Sequence, residues 1–463
     1  MPPRILTPVI VACALFMENL DSTVIATSLP AIARDMGEDP IALKLALTSY
    51  LVSLAIFIPV SGWMADRYGA RTVFRAALGV FMAGSLGGFV AARFLQGIGG
   101  AMMVPVGRLV LLRSIPKSEL VSALAYLTVP AMVGPVVGPP LGGFITTYFD
   151  WRWIFFINIP IGLLGIGLST LYFENVREPD RPPLDFAGFL LSGFGLAALM
   201  LGLATGGRHL LPIEASIGCV VLGAIAVIAY VRHAGRTPHP LVRLELLRIA
   251  TFRASVVGGS LFRIGVGAIP FLLPLMLQLG FGLNPLESGL LTFVSAAGAL
   301  FMKTLAARIL RIFGFRAVLT VNAFIAAAFI GASGLFTPWT PHWAIIMVLL
   351  VGGCFRSLQF TALNAIAYAD VSTREMSHAT SLTSVAQQLV LSIGVALGVA
   401  VLEAVSRAQG EANLTAGDFW PAFLVVALIS SLSGFVFARL EPSAGAEMSG
   451  HAIVRQKPAA DST

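Results

Sequence analysis

The sequence has few charged residues: Asp, Glu, Lys and Arg make up 11% of its 463 positions, whereas hydrophobic residues make up 57%. A soluble domain of ordinary composition carries about 25% charged residues, which cover its surface. Because so little charge cannot cover a globule of this length, much of the surface must face lipid. The composition therefore excludes an ordinary soluble enzyme or binding domain.

Residues for covalent or metal chemistry are also scarce. The three cysteines, Cys13, Cys219 and Cys354, lie far apart within apolar runs, so the sequence predicts neither a disulfide framework nor a metal site. The six histidines are scattered, and we find no nucleophile–base pair and no phosphate-binding Gly-Lys loop. We therefore expect no cofactor, no metal and no enzyme activity.

The net charge of +7 is distributed as short arginine clusters between apolar runs. Such clusters are typical of loops that face anionic lipid rather than of a nucleic-acid surface. We therefore expect the lipid bilayer as a partner and no nucleic acid.

Long apolar runs fill most of the chain. A helix needs about 20 mostly apolar residues to cross a bilayer, and alternating strand patterns are absent, so the runs predict an all-α integral membrane protein. They number about fourteen, at 8–31, 43–63, 73–91, 93–113, 119–147, 152–173, 185–205, 214–232, 252–278, 286–309, 315–336, 343–369, 378–404 and 418–438.

The arginines predict the orientation, because positively charged loops remain in the cytoplasm. One set of loops contains Arg67, Arg113, Arg243 and Arg311 among others, whereas the alternate loops hold only scattered cations. With an even number of spans, both termini are predicted to be cytoplasmic. We expect a multi-pass protein of the bacterial inner membrane.

A short loop pattern occurs once in each half of the chain. The loop 62–71 reads GWMADRYGAR, and a weaker echo at 308–316 reads RILRIFGFR. In both, a glycine precedes an arginine by two positions, between two apolar helices. Such recurrence is typical of transporters built from repeated helical bundles.

The loop 62–71 and three further segments form an ordered set of motifs. These segments are 20–30, LDSTVIATSLP; 93–100, RFLQGIGG; and 134–143, GPVVGPPLGG. The set resembles the major facilitator superfamily. The loop resembles the family signature, and the segments resemble the first-helix, fourth-helix and antiporter motifs of the branch of fourteen-span drug–proton antiporters. The resemblance covers nearly the whole chain.

This resemblance implies the major facilitator fold, with two six-helix bundles plus two extra transmembrane helices. We place the N-terminal bundle at 1–178, the two inserted helices at 179–244 and the C-terminal bundle at 245–440. The segment 441–463, rich in Ala, Ser and Gly, is predicted to be a disordered cytoplasmic tail.

Two features depart from the family pattern. Ala26 stands where the branch usually carries an asparagine, which removes a polar side chain from the pathway. The distance from Val73 to Arg93 is only about 20 residues, and the segment Gly84–Val90 looks shortened. Two tight spans just fit, and Arg93 is then expected near the outer edge of the membrane.

Two acidic residues lie inside the first span. Glu18 and Asp21 are three residues apart and share a helix face. Acids within the membrane are costly and nearly always face a cavity or a partner. We predict that Asp21 carries a coupling proton and that Glu18 modulates it. The alternative is that Asp21 braces a neighbouring helix.

The motifs supply further candidates. We predict a conformational gate, because a carboxylate at the end of a helix makes contacts that break when two halves separate. The alternative is a simple charge anchor.

The antiporter motif is a separate candidate. Its glycines lie four positions apart on one helix face, where they let the backbone of a neighbouring helix come close. The alternative is generic packing of small residues. The candidates are Gly62, Asp66, Arg67, Gly69 and Arg71 for the gate; Arg93, Gln96 and Gly97 for the fourth-helix motif; and Gly134, Pro135, Gly138, Pro139, Gly142 and Gly143 for the antiporter motif.

Polar residues inside the C-terminal spans are candidates for a substrate pathway. The two arginines serve either as counter-ions for an acid or an anionic substrate, or as snorkelling end residues. Each amide is alternatively a helix–helix hydrogen bond. The candidates are Arg263, Gln278, Arg356, Gln359, Asn364 and Gln387.

The favoured function is proton-driven export of small amphipathic organic compounds by alternating access, as in multidrug efflux. Its expected partners are a small-molecule substrate and protons, and a monomer is compatible with the sequence. One alternative is a specific exporter of a metabolite such as an amino acid or a siderophore. Another is a non-transporting membrane sensor, which the short segment Gly84–Val90 favours.

Overall fold

The computed structural model describes residues 3–36, 40–84, 89–116, 119–175, 177, 183–205, 212–283, 285–409 and 415–451. Throughout these ranges the regular elements are helices, and no strand occurs. Where the structure describes them, the predicted apolar runs lie mainly on helices. The all-α prediction is therefore confirmed.

Eight helices form the N-terminal half. They are α1 Pro3–Met36, α2 Pro40–Phe57, α3 Ser61–Tyr68, α4 Ala70–Gly84, α5 Phe89–Ser114, α6 Leu120–Tyr148, α7 Trp153–Phe156 and α8 Asn158–Tyr172. α1 packs against α5, α6 and α8, while α5 also packs against α2 and α4. α2 and α3 form one bent element, with 55° between Ser49–Phe57 and Ser61–Tyr68.

Two inserted helices follow, α9 Phe186–Thr205 and α10 Ile213–Ala234, and they pack against each other. The C-terminal half then begins with a 3-10 turn, Leu244–Arg248. Its helices are α11 Ala250–Arg253, α12 Gly259–Leu275, α13 Pro285–Ser333, α14 His342–Ile366, α15 Met376–Gln409, α16 Phe419–Phe437 and α17 Ala446–Ser449. Two π-helical segments, Ala254–Gly258 and Met276–Gly280, flank α12.

The helices have the length and hydropathy that a bilayer requires. Among the described residues, nine helices are long and apolar enough to cross a membrane, or ten when the bent pair of α2 and α3 counts as one span. The architecture is that of an integral membrane protein with two helical bundles and an inserted pair. The segment 85–88, in the predicted shortened region, lies outside the described residues.

The repeated loop pattern has the same backbone geometry in both halves. Gly69 separates α3 from α4 with a φ of 92°, and Gly314 breaks α13 with a φ of 72°. A positive φ is accessible to glycine at little cost and strains other residues. Both glycines therefore make the sharp turn that lets two apolar helices meet at one end of the molecule.

Among the described residues, the largest hydrophobic cluster spans both halves at one end of the molecule. We call this the signature end, because the loop 62–71 lies there. Its core cluster contains Phe74 and Leu111 from the N-terminal half together with Phe315 and Tyr368 from the C-terminal half. At the opposite end, the described residues form separate clusters, one in each half. The two halves are therefore packed together at the signature end.

Part of the predicted disordered tail is folded. Residues 441–451 pack on the signature end, where Met448 in α17 is 1% exposed. The His451 Nδ1 atom lies 2.9 Å from the carbonyl oxygen of Arg311. The prediction of disorder is wrong here, because one buried methionine among small residues anchors the segment. Residues 452–463 lie outside the described part of the chain.

The first inserted helix packs against both halves. α9 packs against α2 of the N-terminal half and against α15 of the C-terminal half. A small apolar crevice lies where the three helices meet, lined by Ala55, Leu196 and Val385 among others. The inserted pair therefore lies beside the interface between the halves.

Candidate functional site

Asp21 is the centre of a buried polar cluster in the N-terminal half. Its carboxylate forms a salt bridge with Arg93 of α5. The Asp21 Oδ1 atom accepts hydrogen bonds from Asn158 Nδ2 at 2.9 Å and from Gln96 Nε2 at 3.4 Å. All four residues are at most 2% exposed. Side chains from α1, α5 and α8 thus converge on one carboxylate.

Arg93 lies inside the bundle, so its expected position at the outer edge of the membrane is wrong. It is 0% exposed, and its guanidinium carbon lies 4.7 Å from the ring centroid of Tyr50 on α2. A buried carboxylate without a counter-charge would be very costly. The long arginine side chain, which begins near the start of α5, supplies that charge to Asp21.

Glu18 has different surroundings from Asp21, although both lie on α1. Tyr50 Oη donates a hydrogen bond to Glu18 Oε1 at 3.3 Å. Arg108, further along α5, is close enough for its charge to act on Glu18. The two acids therefore belong to adjacent networks, with Tyr50 between them.

At the signature end, Asp66 joins the two halves. Ser377 Oγ, near the start of α15, donates a hydrogen bond to Asp66 Oδ2. Arg113 of α5 forms a salt bridge with Asp66 Oδ1 at 3.2 Å. The hydroxyl oxygens of Ser61 and Ser381 lie 3.1 Å apart in the same interface. Helix α3 is thus held against α15 by buried polar contacts.

Gly62 makes this contact possible. A Cβ atom at Gly62 would lie 2.8 Å from the carbonyl oxygen of Ser377, which is closer than a real Cβ approaches backbone. Only a residue without a side chain lets α3 and α15 touch at this distance. Gly62 and Asp66 are therefore the predicted gate residues that reach across the interface.

The other predicted gate residues make their described contacts within the N-terminal half, so the structure does not place them between the halves. Arg67 lies over the ring of Trp63, 5.5 Å from its centroid. Arg71 donates a hydrogen bond to the Phe173 carbonyl oxygen at 3.3 Å. Gly69 turns the chain where Asn175 packs against it. Gly69 and Arg71 thus hold the signature loop against the residues that follow α8.

Motif glycines bring helices into close contact. A Cβ at Gly97 would lie 2.7 Å from the Tyr50 carbonyl oxygen, and one at Gly134 would lie 3.0 Å from the Leu20 backbone nitrogen. The antiporter motif therefore packs directly on α1, next to Asp21. Gly138 and Gly142 are also buried. The side-chain surroundings of Ala26, Pro135, Pro139 and Gly143 lie outside what the structure describes.

A chain of hydrogen bonds crosses the interface in the middle of the molecule. Both terminal nitrogens of Arg108 donate to Gln387 Oε1, at 3.3 and 3.2 Å. Gln387 Nε2 donates to Asn364 Oδ1 at 3.4 Å, and Arg263 Nη2 donates to the same oxygen at 3.2 Å. Three of the predicted pathway residues, on α12, α14 and α15, are thus brought together with Arg108 of α5.

The remaining pathway candidates lie elsewhere. Gln359 is fully buried and bonds to α13, accepting from Asn322 Nδ2 at 2.7 Å and donating to the Leu319 carbonyl oxygen at 3.1 Å. Its described hydrogen bonds therefore join α14 to α13. Arg356 donates to Ser295 Oγ on α13. Gln278 is half-buried in the π-helical segment after α12 and takes no part in the chain described above.

The far end of α1 carries an exposed polar cluster. Trp151 Nε1 donates to Asp35 Oδ2 at 2.8 Å, and Arg152 forms a salt bridge with the same oxygen at 3.3 Å. The indole hydrogen bond, with help from Arg152, holds the pKa of Asp35 below its usual range. This contact ties α1 to the start of α7 at the end opposite the signature loop.

Sequence reasoning missed Arg108, Asn158 and Ser377. Arg108 and Asn158 could have been found from the sequence, because each is a polar residue inside an apolar run. Ser377 gave none, since a serine near the start of a span is common and its partner Asp66 is 311 positions away.

Comparison with known proteins agrees with this architecture. A family model described as Major Facilitator Superfamily matches residues 11–395 and, a second time, residues 256–451. The chain is 36% identical over 449 residues to the "Putative multidrug resistance protein MdtD" of Cronobacter sakazakii. It is 34% identical over 451 residues to the protein of the same name in Escherichia coli (strain K12). Each alignment covers 93% of both chains.

Two solved structures share the fold. The human organic anion transporter MFSD10 aligns with a TM-score of 0.69 at 14% identity, over 94% of this chain and 100% of that one. The proton:xylose symporter XylE aligns with a TM-score of 0.64 at 13% identity, over 96% and 98%. At such low identity, the likeness concerns the fold alone.

Proposed function

Because the chain belongs to the major facilitator superfamily of transporters, we propose that it exports small amphipathic organic compounds in exchange for protons. The observation that carries this proposal is the buried ion pair of Asp21 and Arg93. An exchanger needs a group that holds a proton on one side of the membrane and releases it on the other. The names of the relatives support drugs or similar compounds as the exported cargo.

The orientation follows from the arginine-rich loops, which we assign to the cytoplasm together with both termini. The signature end is then the cytoplasmic end. The relatives named above are bacterial, and the membrane we propose is the bacterial inner membrane. In this orientation the structure is closed toward the cytoplasm, because the two halves share a core there.

Proton exchange uses the competition between a proton and Arg93 for the same carboxylate. Three donors converge on Asp21 in the closed state and stabilise its ionised form. A proton that binds Asp21 from outside cancels its charge and releases Arg93. The freed guanidinium then favours a rearrangement of α1 and α5, which meet at this cluster.

Alternating access requires the contact between α3 and α15 to break. Asp66 would leave Ser377, and Gly62 would move away from the backbone of α15 as one half rocks against the other. The chain from Arg108 to Arg263 also crosses the interface and would part at Gln387. Substrate would enter from the cytoplasm once these contacts open.

The test is a proton flux that depends on transported compound. The purified protein is reconstituted in liposomes containing the pH dye pyranine, and a panel of amphipathic anions, cations and neutral compounds is added in turn. We expect some compounds to drive proton movement that empty liposomes lack. A narrow response to one metabolite would support the specific exporter instead. No flux with any compound, despite folded protein, would contradict transport and favour the sensor.

A further inference from the structure

Three cations lie inside the C-terminal half, two of them buried and one half-buried. Arg263 on α12 is 4% exposed, Lys303 on α13 is 9% exposed, and Arg356 on α14 is half-buried. Each hydrogen-bonds to a neutral oxygen: Arg263 to Asn364, Lys303 to Thr361 at 2.8 Å, and Arg356 to Ser295. None of the three forms a salt bridge with an acid in the described part of the chain.

In the N-terminal half, two inward-facing arginines are paired with acids, whereas Arg108 donates to the amide oxygen of Gln387. Arg93 is paired with Asp21, and Arg113 is paired with Asp66. Moving a charged side chain out of water costs free energy, and an opposite charge beside it offsets much of that cost. A hydroxyl or amide oxygen stabilises a cation without neutralising it. The C-terminal half thus carries positive charge that its own described side chains leave uncompensated.

Of the three cations, Arg263 is the one whose described contacts lead to the interface between the halves. Helices α13 and α14 both contact α6 of the N-terminal half. Arg263 is linked through Asn364 and Gln387 to Arg108 of that half, whose charge acts on Arg263. In transporters built from two bundles, the binding site lies at such an interface, near the middle of the membrane.

The guanidinium of Arg263 occupies a specific niche. A Cβ at Gly259, one turn earlier on α12, would lie 2.5 Å from Arg263 Nη1, so glycine leaves room for the guanidinium. The ring centroid of Phe360 lies 5.6 Å from its guanidinium carbon, and Phe360 packs edge-on against Phe262. A planar guanidinium beside aromatic rings suits a carboxylate attached to an apolar body.

From these contacts we infer that the transported compound is an organic anion, and that Arg263 and Arg356 are the residues that bind its acidic group. This inference rests on the proposed function and specifies its substrate class. A bound anion compensates the buried positive charge, whereas a lipophilic cation would be repelled by it. The competing explanation is that the cations only brace α12, α13 and α14 through their hydrogen bonds.

Binding to three matched probes tests the inference. Phenylbutyrate, phenylbutylamine and phenylbutanol share a ring and an alkyl chain and differ in head-group charge. The full chain is placed in nanodiscs of phosphatidylcholine, and binding is measured by calorimetry without a proton gradient. We expect the anion to bind about tenfold more tightly than the alcohol, as a charge-assisted hydrogen bond implies, and the amine to bind most weakly. Equal binding of anion and alcohol, or tightest binding of the amine, would overturn the inference.

Variants then locate the site. Arg263→Gln and Arg356→Gln keep a hydrogen-bond donor and lose the charge, so each should weaken phenylbutyrate by about tenfold and leave phenylbutanol unchanged. Arg263→Lys should retain part of the preference. Arg253→Gln, which removes an exposed cation from neighbouring α11, is the matched control. If both Gln variants fold, by their melting temperatures, and still prefer the anion, the assignment to these arginines is wrong.

A lipid head group is also an anion that could bind these arginines, so a separate experiment must distinguish it from a transported compound. Replacing part of the phosphatidylcholine by phosphatidylglycerol should leave the affinity for phenylbutyrate unchanged. Loss of phenylbutyrate binding in anionic nanodiscs would mean that a lipid occupies the arginines, and the inference would fail. Because these measurements use no pH gradient, a preference for the anion without proton flux would contradict only the proposed coupling.

Discussion

At the scale of single residues, the Asp21 carboxylate depends on the hydrogen-bond donors around it. Arg93, Gln96 and Asn158 come from two helices other than α1, and all are fully buried. A carboxylate in the membrane interior would otherwise be strongly disfavoured. The cluster therefore couples the charge of one side chain to the relative positions of α1, α5 and α8.

We expect Asp21→Asn to abolish transport against a gradient. Asparagine keeps the shape of the side chain but cannot release a proton, so substrate binding and downhill exchange should persist. The measurement is pH-gradient-driven uptake into inverted vesicles, with Asp150→Asn, an exposed acid, as the control. Undiminished accumulation by Asp21→Asn would mean that another group carries the proton, and Glu18, three residues earlier on α1, would be the next residue to test.

Removing Arg93 tests the ion pair itself. Arg93→Met leaves Asp21 charged and uncompensated, and we expect it to lower the free energy of unfolding by about 3–5 kcal/mol. The double variant Arg93→Met, Asp21→Asn removes both charges and should recover most of that loss. Denaturant unfolding in micelles measures both values. Equal stability of the single and double variants would show that an uncompensated charge on Asp21 is not the cause of the loss.

At the scale of elements, α3 and α15 form a contact that joins the two halves at the signature end. The contact depends on a glycine for close approach and on an aspartate for a hydrogen bond. It lies at the ends of both helices, where a small rotation of one half produces a large separation. A substitution that weakens this contact should therefore change the turnover rate more than the affinity for substrate.

Asp66→Asn should reduce turnover while leaving substrate binding nearly unchanged. The variant replaces a charge-assisted hydrogen bond by a neutral one and removes the salt bridge to Arg113, so the closed state loses stability. Ser377→Ala should act in the same direction, and Ser372→Ala, at an exposed serine before α15, serves as the control. Turnover in proteoliposomes and equilibrium binding are compared. Equal effects on both would contradict a role in interconversion.

The elements were predictable from sequence because apolar runs mark helices directly, and intramembrane acids mark the cluster on α1. The partners of those acids were less predictable. Arg93 was misplaced because the length of a segment says nothing about where a long side chain reaches. Ser377 and Asp66 meet only through the packing of two bundles. The glycine turns were visible, since Gly69 and Gly314 recur at matching places.

At the scale of the whole molecule, the folded tail completes a symmetry between the halves. In the N-terminal half, Asn175, which follows α8, packs on Gly69; in the C-terminal half, His451, which follows α17, packs on Gly314. Each half thus closes its glycine turn with the segment after its last long helix. The tail also contacts α6 of the N-terminal half.

Truncation after Leu440 should therefore destabilise the protein. It removes Met448, whose burial is worth about 1.5–3 kcal/mol, and leaves Phe315 without the backbone that covers it at Gly445. The melting temperature in detergent should fall. Truncation after His451 keeps every described contact and should leave the melting temperature unchanged. If the two truncations behave alike, the tail contributes nothing to the fold.

The position of α9 has a mechanical consequence. A helix that touches α2 on one side and α15 on the other cannot remain fixed to both while they rotate apart. If the halves rock apart as proposed, α9 moves with one bundle and slides along the other, over the side chains that line the crevice between them. In the proposed transport cycle, the distance over which α9 can slide then limits how widely the signature end opens, and with it the size of the largest compound that can enter.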